Sequence, residues 1–292
     1  MKLVTYRVKG NPREQLGIFA EGGVIPVLAS GLVFEDMNDL IKNAGPEQLK
    51  QIEELKKSKN GLVPEGKYEL LSPIPRPKAD ILCLGLNYTE HAEEAFGYSE
   101  SFKADADLPI FFSKRTPYSQ GSGAPIPAHA DITQKLDYEN ELAVVIGKDA
   151  RNVEPGTVQD YIFGYTIFND VSARDLQTSH KQWYFGKSLD GFSPMGPCIV
   201  TADEIAWPPA LDVKTWVNGE LRQDSNTRML IHGIEEIVCT LSRGMTLEAG
   251  TVIATGTPKG VIMGMKDPKF LKSGDSVTCY IEGIGVLFNP VE

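Results

Sequence analysis

Short apolar runs, bounded by glycine and proline, dominate the chain from residue 80 onward. Runs of this length and composition are typical of β-strands. They predict strands at residues 81–84, 110–113, 142–146, 161–169, 198–201, 211–217, 252–255 and 277–281. The long helical patterns of this part lie at residues 87–96 and 227–242. Many strands with few helices predict an α+β chain that is predominantly β, arranged as a sandwich or barrel with peripheral helices.

Residues 1–71 have a different pattern, in which short strands precede two helices. The pattern predicts strands at residues 3–8, 16–20 and 23–28, and helices at residues 32–41 and 47–57. Prolines at positions 73, 75 and 77 then indicate an extended, semi-rigid connector. We therefore expect a small amino-terminal α/β domain over residues 1–71, a Pro-rich linker over residues 72–79, and a main domain over residues 80–292.

Acidic residues stand at the ends of two predicted strands. Glu139 and Glu141 share one face of the run 136–146, because successive side chains of a strand alternate faces, and Asp170 ends the apolar run 161–170. Ionised carboxylates crowded at the edge of a core repel one another unless a cation or a proton intervenes. Three oxygen ligands without Cys or His favour a hard ion, Mg²⁺ or Mn²⁺. The alternative is a solvated strand end, with Asp170 elsewhere in the fold.

A second candidate feature is the pair of His91 and Glu94, which follows the first strand of the main domain. In a helix, residues three positions apart lie on one face. A carboxylate that fixes the tautomer of an imidazole makes that imidazole a general base for water. The alternative is a His–Glu pair without function on an exposed helix.

Further polar residues follow the acidic positions. A helix would place Arg174 and Gln177 on the same side as Asp170, as an anion clamp and an amide donor. Lys187 lies among aromatic residues and glycines, where it could approach a carboxylate or an enolate. Thr257 lies in a glycine-containing loop without a nucleotide-binding motif. The alternatives are a surface turn for the arginine and a solvated lysine.

Charge and cysteine content narrow the classes of partner. The chain has 292 residues and a net charge of −10, without a basic stripe, which argues against nucleic acid and anionic membranes as partners. The 4 cysteines are far apart and show neither a zinc spacing nor a CxxC motif. No signal-peptide pattern and no run of membrane-spanning length is present. We expect a soluble, cytoplasmic protein.

Several motifs occur together in the order known from one protein family. They are Gly85-Leu-Asn-Tyr with His91 and Glu94, Asp137-Tyr-Glu-Asn-Glu-Leu-Ala-Val-Val-Ile-Gly147, Asn169-Asp-Val-Ser-Ala-Arg-Asp with Gln177, Gly186-Lys-Ser, Thr255-Gly-Thr-Pro-Lys-Gly-Val261, and Gly283-Ile-Gly. From about residue 81 to the end, the chain closely resembles the fumarylacetoacetate hydrolase family. The resemblance implies a mixed β-sandwich roll, an Mg²⁺ or Mn²⁺ site, and a homodimer.

The resemblance also implies a role for each matching residue. It implies that Glu139, Glu141 and Asp170 are the metal ligands, and that His91 and Glu94 activate water. By the same resemblance, Lys187 is catalytic, and Arg174, Gln177 and Thr257 contact the substrate or its oxyanion. A lid is implied over about residues 92–108. Several acylpyruvase-like members have a basic residue where this chain has Leu86, so the reaction varies within the family.

From these matches we expect an enzyme that acts on a small anionic 2-oxo acid. The leading hypothesis is hydrolytic C–C cleavage of an acylpyruvate-type 2,4-dioxo acid through a metal-bound pyruvate enolate. The alternatives use the same site as an oxaloacetate decarboxylase or tautomerase, or as a hydroxymuconate-type isomerase or decarboxylase. A metabolite-binding or scaffold protein with a vestigial site is a further alternative.

Overall fold

The structure is a computed structural model that describes residues 1–98 and 108–292. Its strands, numbered along the chain, are β1 (Lys2–Val8), β2 (Gln15–Ala20), β3 (Gly23–Pro26), β4 (Val63–Pro64), β5 (Tyr68–Leu70), β6 (Ile81–Gly85), β7 (Ile110–Lys114), β8 (Leu136–Asp137), β9 (Asn140–Ile146), β10 (Ile162–Asn169), β11 (Ser172–Ala173), β12 (Met195–Thr201), β13 (Asp212–Val217), β14 (Glu220–Asn226), β15 (Val252–Ala254), β16 (Ser276–Ile281) and β17 (Gly285–Pro290). The helices are α1 (Met37–Asn43), α2 (Pro46–Ser58), α3 (Thr89–Tyr98), α4 (Arg174–Ser179), α5 (Tyr184–Lys187) and α6 (Ile234–Ser242).

A large mixed sheet organises the molecule. Among the described residues it has 11 strands in the order β4-β3-β2-β1-β12-β10-β9-β15-β6-β7, with β5 paired to β1. Strands β6 and β15 pair in parallel, whereas β9 pairs antiparallel with both β10 and β15. The predicted α+β, predominantly β architecture is confirmed.

Strand β9 lies at the centre of this sheet and is buried along its whole length. Its run Leu-Ala-Val-Val-Ile is apolar on both faces, as expected for a strand covered by other elements on both sides. Two hydrophobic clusters lie against it: one contains Leu142, Val144 and Ile146, the other Ala143 and Val145. The polar start of β9 is therefore fixed at the edge of a rigid core.

A second sheet, in the order β14-β13-β16-β17, packs beside the large one. Strands β13 and β16 alternate between partly exposed and buried positions, so one face of this sheet lies in the core. Asn140, at the start of β9, donates its side-chain amide to the carbonyls of Lys214 and Tyr280 in the second sheet. These hydrogen bonds tie the start of the central strand to both layers.

The helices differ from the predicted ranges at their amino-terminal ends, for local reasons. Helix α1 begins at Met37 rather than at residue 32, because the Asp36 side chain accepts a hydrogen bond from the Asp39 backbone and caps the helix there. The predicted helix 227–242 is divided: Asn226 caps a short 3₁₀ turn over Thr227–Met229, and α6 starts after Gly233. The predicted helix 47–57 corresponds to α2, with Pro46 at its first position.

The amino-terminal strands belong to the same sheet as the rest of the chain. Strand β1 pairs with β12, with Leu3 opposite Ile199. The boundaries at residues 71 and 80 stay a prediction. Residues 99–107, which make up most of the predicted lid, lie outside the described residues. Within the part of the chain that is described, no helix is both long and apolar enough to cross a membrane.

Candidate active site

Three carboxylates meet where β9 begins and β10 ends. Glu139 is 5% exposed, Glu141 1% and Asp170 0%, and one oxygen of each lies within 4.8 Å of the others. The antiparallel register of the two strands, with Asn169 opposite Asn140, brings the chain segments together. The Asp170 backbone N–H also donates to the Glu139 carbonyl at 2.8 Å. The structure therefore brings together the three acidic residues predicted as metal ligands.

Two of the predicted cations contact this cluster directly. Lys187 Nζ donates to Glu139 Oε2 at 2.6 Å and to Asp170 Oδ2 at 2.9 Å. Arg174 NH1 lies 2.7 Å from Glu139 Oε1. Both cations are almost fully buried, so their charges are poorly screened by water. Each is placed by a short helix, α4 for Arg174 and α5 for Lys187.

A third cation at the cluster, Lys114, is absent from the sequence-based candidates. It is the last residue of β7, is fully buried, and its Nζ donates to Asp170 Oδ1 and, at 2.9 Å, to the Val171 carbonyl. The signal in the sequence was weak: a lysine directly after the apolar run 110–113. Most lysines in that position are solvated.

Asp137 is the second residue of the site that the sequence-based candidates lack. It is fully buried and accepts from Arg174 Nε at 2.9 Å. The backbone N–H groups of Ile262 and Met263 donate to the same carboxylate at 2.9 and 3.1 Å. Asp137 thus fixes the guanidinium from the side opposite Glu139. Its position two residues before Glu139, in the run 136–146 that predicts a strand, was the available signal.

The cations act unequally on the two glutamates. Burial by itself raises the pKa of Glu139, but Lys187 and Arg174 reverse that effect and lower it well below its usual range. Burial, together with Asp170 and Glu139, raises the pKa of Glu141 well above its usual range, although the Gly256 backbone N–H donates to it at 2.7 Å. A buried carboxylate next to two others is a group that an added cation stabilises.

His91 and Glu94 lie side by side on α3, at the edge of the same site. His91 Nδ1 is 3.7 Å from Glu94 Oε2, which is longer than a hydrogen bond, and it has no hydrogen-bond partner among the described residues. Glu94 instead accepts from the Gly260 backbone N–H at 3.0 Å. His91 is buried while Glu94 is partly exposed. The predicted pair is adjacent, without the direct hydrogen bond.

The remaining predicted residues also reach the site. Gln177 Oε1 accepts from Arg174 NH1 at 3.0 Å. Thr257 Oγ1 donates to the Asn140 carbonyl at 3.0 Å and accepts from Gln223 Nε2 at 2.8 Å. Both side chains are therefore held in place by the protein.

A cavity of about 10 Å³ lies among these groups, which is room for about one water. Its lining combines the polar residues with an apolar wall: His91, Glu139, Glu141, Arg174, Gln177, Lys187 and Thr257, and Leu84, Gly85, Leu86, Phe112, Trp183 and Met263. The Trp183 ring packs against the backbone of Gly85, where a Cβ atom would lie 2.2 Å from the ring. Gly85 is therefore required for this wall.

The donor set of the site fits a hard divalent cation. The possible ligand atoms are carboxylate oxygens, which Mg²⁺ and Mn²⁺ prefer, and one oxygen of each residue lies within 4.8 Å of the others. Four buried acids, Asp137, Glu139, Glu141 and Asp170, outnumber the buried cations Lys114, Arg174 and Lys187 in the described part of the chain. Glu139, Glu141 and Asp170 could hold the ion.

Comparisons with known proteins agree with this fold. The profile of the family described as Fumarylacetoacetate (FAA) hydrolase C-terminal matches residues 80–292. Over 226 residues the chain is 47% identical to oxaloacetate tautomerase YisK of Bacillus subtilis (strain 168), which covers 76% of this chain and 73% of the relative.

Two solved structures have the same fold. Fumarylacetoacetate hydrolase from psychrophilic Exiguobacterium antarcticum matches with a TM-score of 0.86 and 39% identity, covering 100% of this chain and 99% of that one. Maleylpyruvate hydrolase from Sphingobium sp. SYK-6, in complex with manganese(II) ion and pyruvate, matches with a TM-score of 0.77 and 30% identity, covering 100% and 98%. The predicted fold type is thereby confirmed, and the chain belongs to the fumarylacetoacetate hydrolase family.

Proposed function

We propose that the protein is an Mg²⁺- or Mn²⁺-dependent enzyme that interconverts the keto and enol forms of an oxaloacetate-type 2-oxo acid. The observation that carries the proposal is the meeting of three buried carboxylates with buried cations beside one cavity, which Glu139, Glu141, Arg174 and Lys187 line. The 47% identity to an oxaloacetate tautomerase supports tautomerisation as the first candidate, ahead of the acylpyruvate hydrolysis expected from the sequence motifs.

The cavity offers an attachment point for the anionic part of such a substrate. Arg174 lines it, and Arg174 NH2 is buried without a hydrogen-bond partner among the described residues. A buried N–H group without a partner costs free energy, which a carboxylate oxygen of the substrate would recover.

Each residue then has a defined part in enolisation. A cation held by Glu139, Glu141 and Asp170 would polarise the 2-oxo group and so acidify the protons on C3. His91 takes a proton from C3, and the electron pair of the broken C–H bond forms the C2–C3 double bond. Lys187 donates a hydrogen bond to the oxygen on C2 as negative charge develops there. A proton delivered to that oxygen completes the enol.

The test follows the decay of enol oxaloacetate by its ultraviolet absorbance. Wild-type protein with Mg²⁺ or Mn²⁺ should accelerate the interconversion, and a chelator should abolish the acceleration. Glu141→Gln removes one carboxylate charge from the triad and should lower the rate by at least about 10²-fold. The exposed Glu248→Gln serves as the control and should keep the wild-type rate. Full activity in the chelated protein would rule out the metal-dependent mechanism.

Hydrolysis of an acylpyruvate is the second candidate, favoured by the placement of His91 in the cavity wall, with Glu94 beside it on α3. The 30% identical maleylpyruvate hydrolase adds support. In this reaction His91 takes a proton from water, whose oxygen attacks the C4 carbonyl. Cleavage of C3–C4 releases the acyl group as a carboxylic acid, and the electron pair of that bond forms the C2–C3 double bond of the pyruvate enolate. The proton held by His91 then goes to C3 and gives pyruvate. Pyruvate release from acetylpyruvate should then fall by about 10²–10⁴-fold in His91→Ala. Wild type that converts oxaloacetate enol but releases no pyruvate from acetylpyruvate would exclude this second candidate.

A further inference from the structure

Lys114 is a fully buried lysine that contacts the acidic triad. It is 0% exposed and lies at the end of β7, opposite Ile81 of β6. Its ammonium group donates to Asp170 Oδ1 and to the Val171 carbonyl, and lies 5.4 Å from the centroid of the Phe168 ring. All three partners belong to the end of β10 and the residues that follow it.

Burial of an ammonium group is costly, so its partners have to recover the cost. Lys114 has one full carboxylate and one carbonyl as partners, and the carboxylate belongs to the acidic triad. Asp170 is held from both sides, since Lys114 binds Oδ1 and Lys187 binds Oδ2. Lys187 lines the cavity, whereas Lys114 does not. The two lysines therefore have different positions: one faces the substrate side, and the other lies behind the triad.

We propose that Lys114 is a positioning residue of the metal centre, which anchors Oδ1 of Asp170 so that the carboxylate converges with Glu139 and Glu141 on a divalent cation. The proposal rests on the metal-dependent function proposed above. Groups that orient a ligand from behind typically contribute about 10–100-fold to metal affinity. Lys114 has no contact with the cavity, so it acts through Asp170.

If Lys114 affects the site only through its charge, its removal should change the metal affinity in the opposite direction. A cation next to the site repels a divalent ion, so its removal would tighten metal binding. Positioning and repulsion therefore predict changes of opposite sign in the dissociation constant. That difference makes the proposal testable without any measurement of turnover.

The experiment titrates the protein with Mn²⁺ and follows free Mn²⁺ by electron paramagnetic resonance. Lys114→Met keeps an unbranched side chain that is one heavy atom shorter and removes the charge and the donors. We expect Mn²⁺ affinity to fall by about tenfold or more relative to wild type. The exposed Lys148→Met is the matched control and should leave the affinity unchanged. A smaller loss, no change or tighter binding in Lys114→Met overturns the proposal.

A double variant tests whether Lys114 acts through Asp170. In protein that already carries Asp170→Asn, Lys114→Met should lower the Mn²⁺ affinity little further. If the double variant instead loses affinity by the product of the two single losses, the two residues act independently and the positioning role is wrong. If circular dichroism shows that Lys114→Met does not fold, Lys114→Gln is titrated with the same tenfold criterion. Absence of Mn²⁺ binding by wild type overturns the proposed function, whereas wild-type affinity in the Lys114 variant that folds overturns only the assignment of Lys114.

Discussion

The carboxylate of Asp137 accepts hydrogen bonds from the Arg174 guanidinium and from the backbone N–H groups of Tyr138 and of the 3₁₀ turn Ile262–Gly264. Asp137→Asn keeps the shape but removes the charge that balances Arg174 inside the core, and it turns one acceptor into a donor. We expect the free energy of unfolding to fall by about 3–5 kcal/mol, the usual cost of breaking a buried ion pair. Urea denaturation followed by fluorescence measures the change. The exposed Asp203→Asn should change stability by less than about 0.5 kcal/mol, and equal losses in both variants would refute the argument.

The reactivity of the cysteine thiols is a second prediction for single residues. Burial raises the pKa of the Cys198 and Cys279 thiols to about 12 and that of Cys83 well above its usual value. Cys239 is only partly buried, and burial followed by nearby glutamates raises its pKa as well. Since the thiolate is the reactive form, native protein at about pH 8 should react with Ellman's reagent at Cys239 alone, and slowly.

Denaturation in guanidinium chloride should release all 4 thiols to the reagent. Cys239→Ser should abolish the native reaction without changing the folded state. Rapid labelling of that variant under native conditions would show that at least one buried cysteine becomes accessible without global unfolding.

Single residues also show how far the sequence alone could lead. Glu139 and Glu141 could be assigned to one site because the alternation of a strand fixes which side chains share a face. Lys114 and Asp137 could not be assigned to the site from the sequence, because their partners are far away along the chain. Asp170 lies 56 positions from Lys114, and Arg174 lies 37 positions from Asp137. Whether such a lysine is buried depends on which strands become neighbours, and local patterns do not contain that information.

At the scale of elements, the turn after β15 positions the Glu141 carboxylate through a backbone N–H group. Gly256 has φ +97°, donates its N–H to Glu141, and an added Cβ would lie 2.7 Å from Asn87 Cβ. The left-handed conformation alone costs a residue with a Cβ atom about 1–2 kcal/mol. Because the added Cβ also meets Asn87, Gly256→Ala should lower the free energy of unfolding by more than this amount. It should also weaken Mn²⁺ binding, because the donor to Glu141 is displaced.

The chain provides a matched control for this substitution. Gly274 has φ +93°, but nothing lies within 4 Å of an added Cβ. Gly274→Ala should cost only the backbone penalty and leave Mn²⁺ affinity unchanged. The explanation by a steric clash would be untenable if thermal denaturation gave the same loss for both variants.

The sequence predicted which segments are helices and strands better than it predicted the residues at which they begin and end. Strand β9 was identified because its apolar run is continuous and long enough to exclude a turn. The helical pattern over residues 227–242 was overextended, because Asn226 satisfies the backbone N–H of Arg228 and starts a separate short turn. Strands β14 and β17 escaped prediction, since their exposed positions carry mixed side chains and their pairing partners are set by the second sheet.

At the scale of the whole molecule, residues from the amino-terminal part and from the main part share one hydrophobic cluster. Leu3 and Ile18 pack in the same cluster as Val145, Phe168 and Ile199. Removal of residues 1–79 would also leave β12 as an unpaired edge strand on that side. The sequence predicted two domains from a change in pattern and a Pro-rich connector, whereas the continuity of the sheet depends on a pairing between β1 and β12 that the pattern does not encode.

We therefore predict that the whole chain unfolds as one cooperative unit and that residues 80–292 alone do not reach a stable folded state. Leu3→Ala should lower the free energy of unfolding of the full chain by about 2–5 kcal/mol, as for a core leucine. Val33→Ala is the control in the same part of the chain, because Val33 is 79% exposed, and should cost less than about 0.5 kcal/mol. Urea denaturation would be followed by both circular dichroism and fluorescence, whose transitions should coincide. A fragment 80–292 with the stability of the full chain, or a Leu3→Ala variant as stable as Val33→Ala, would establish instead that the two parts fold independently.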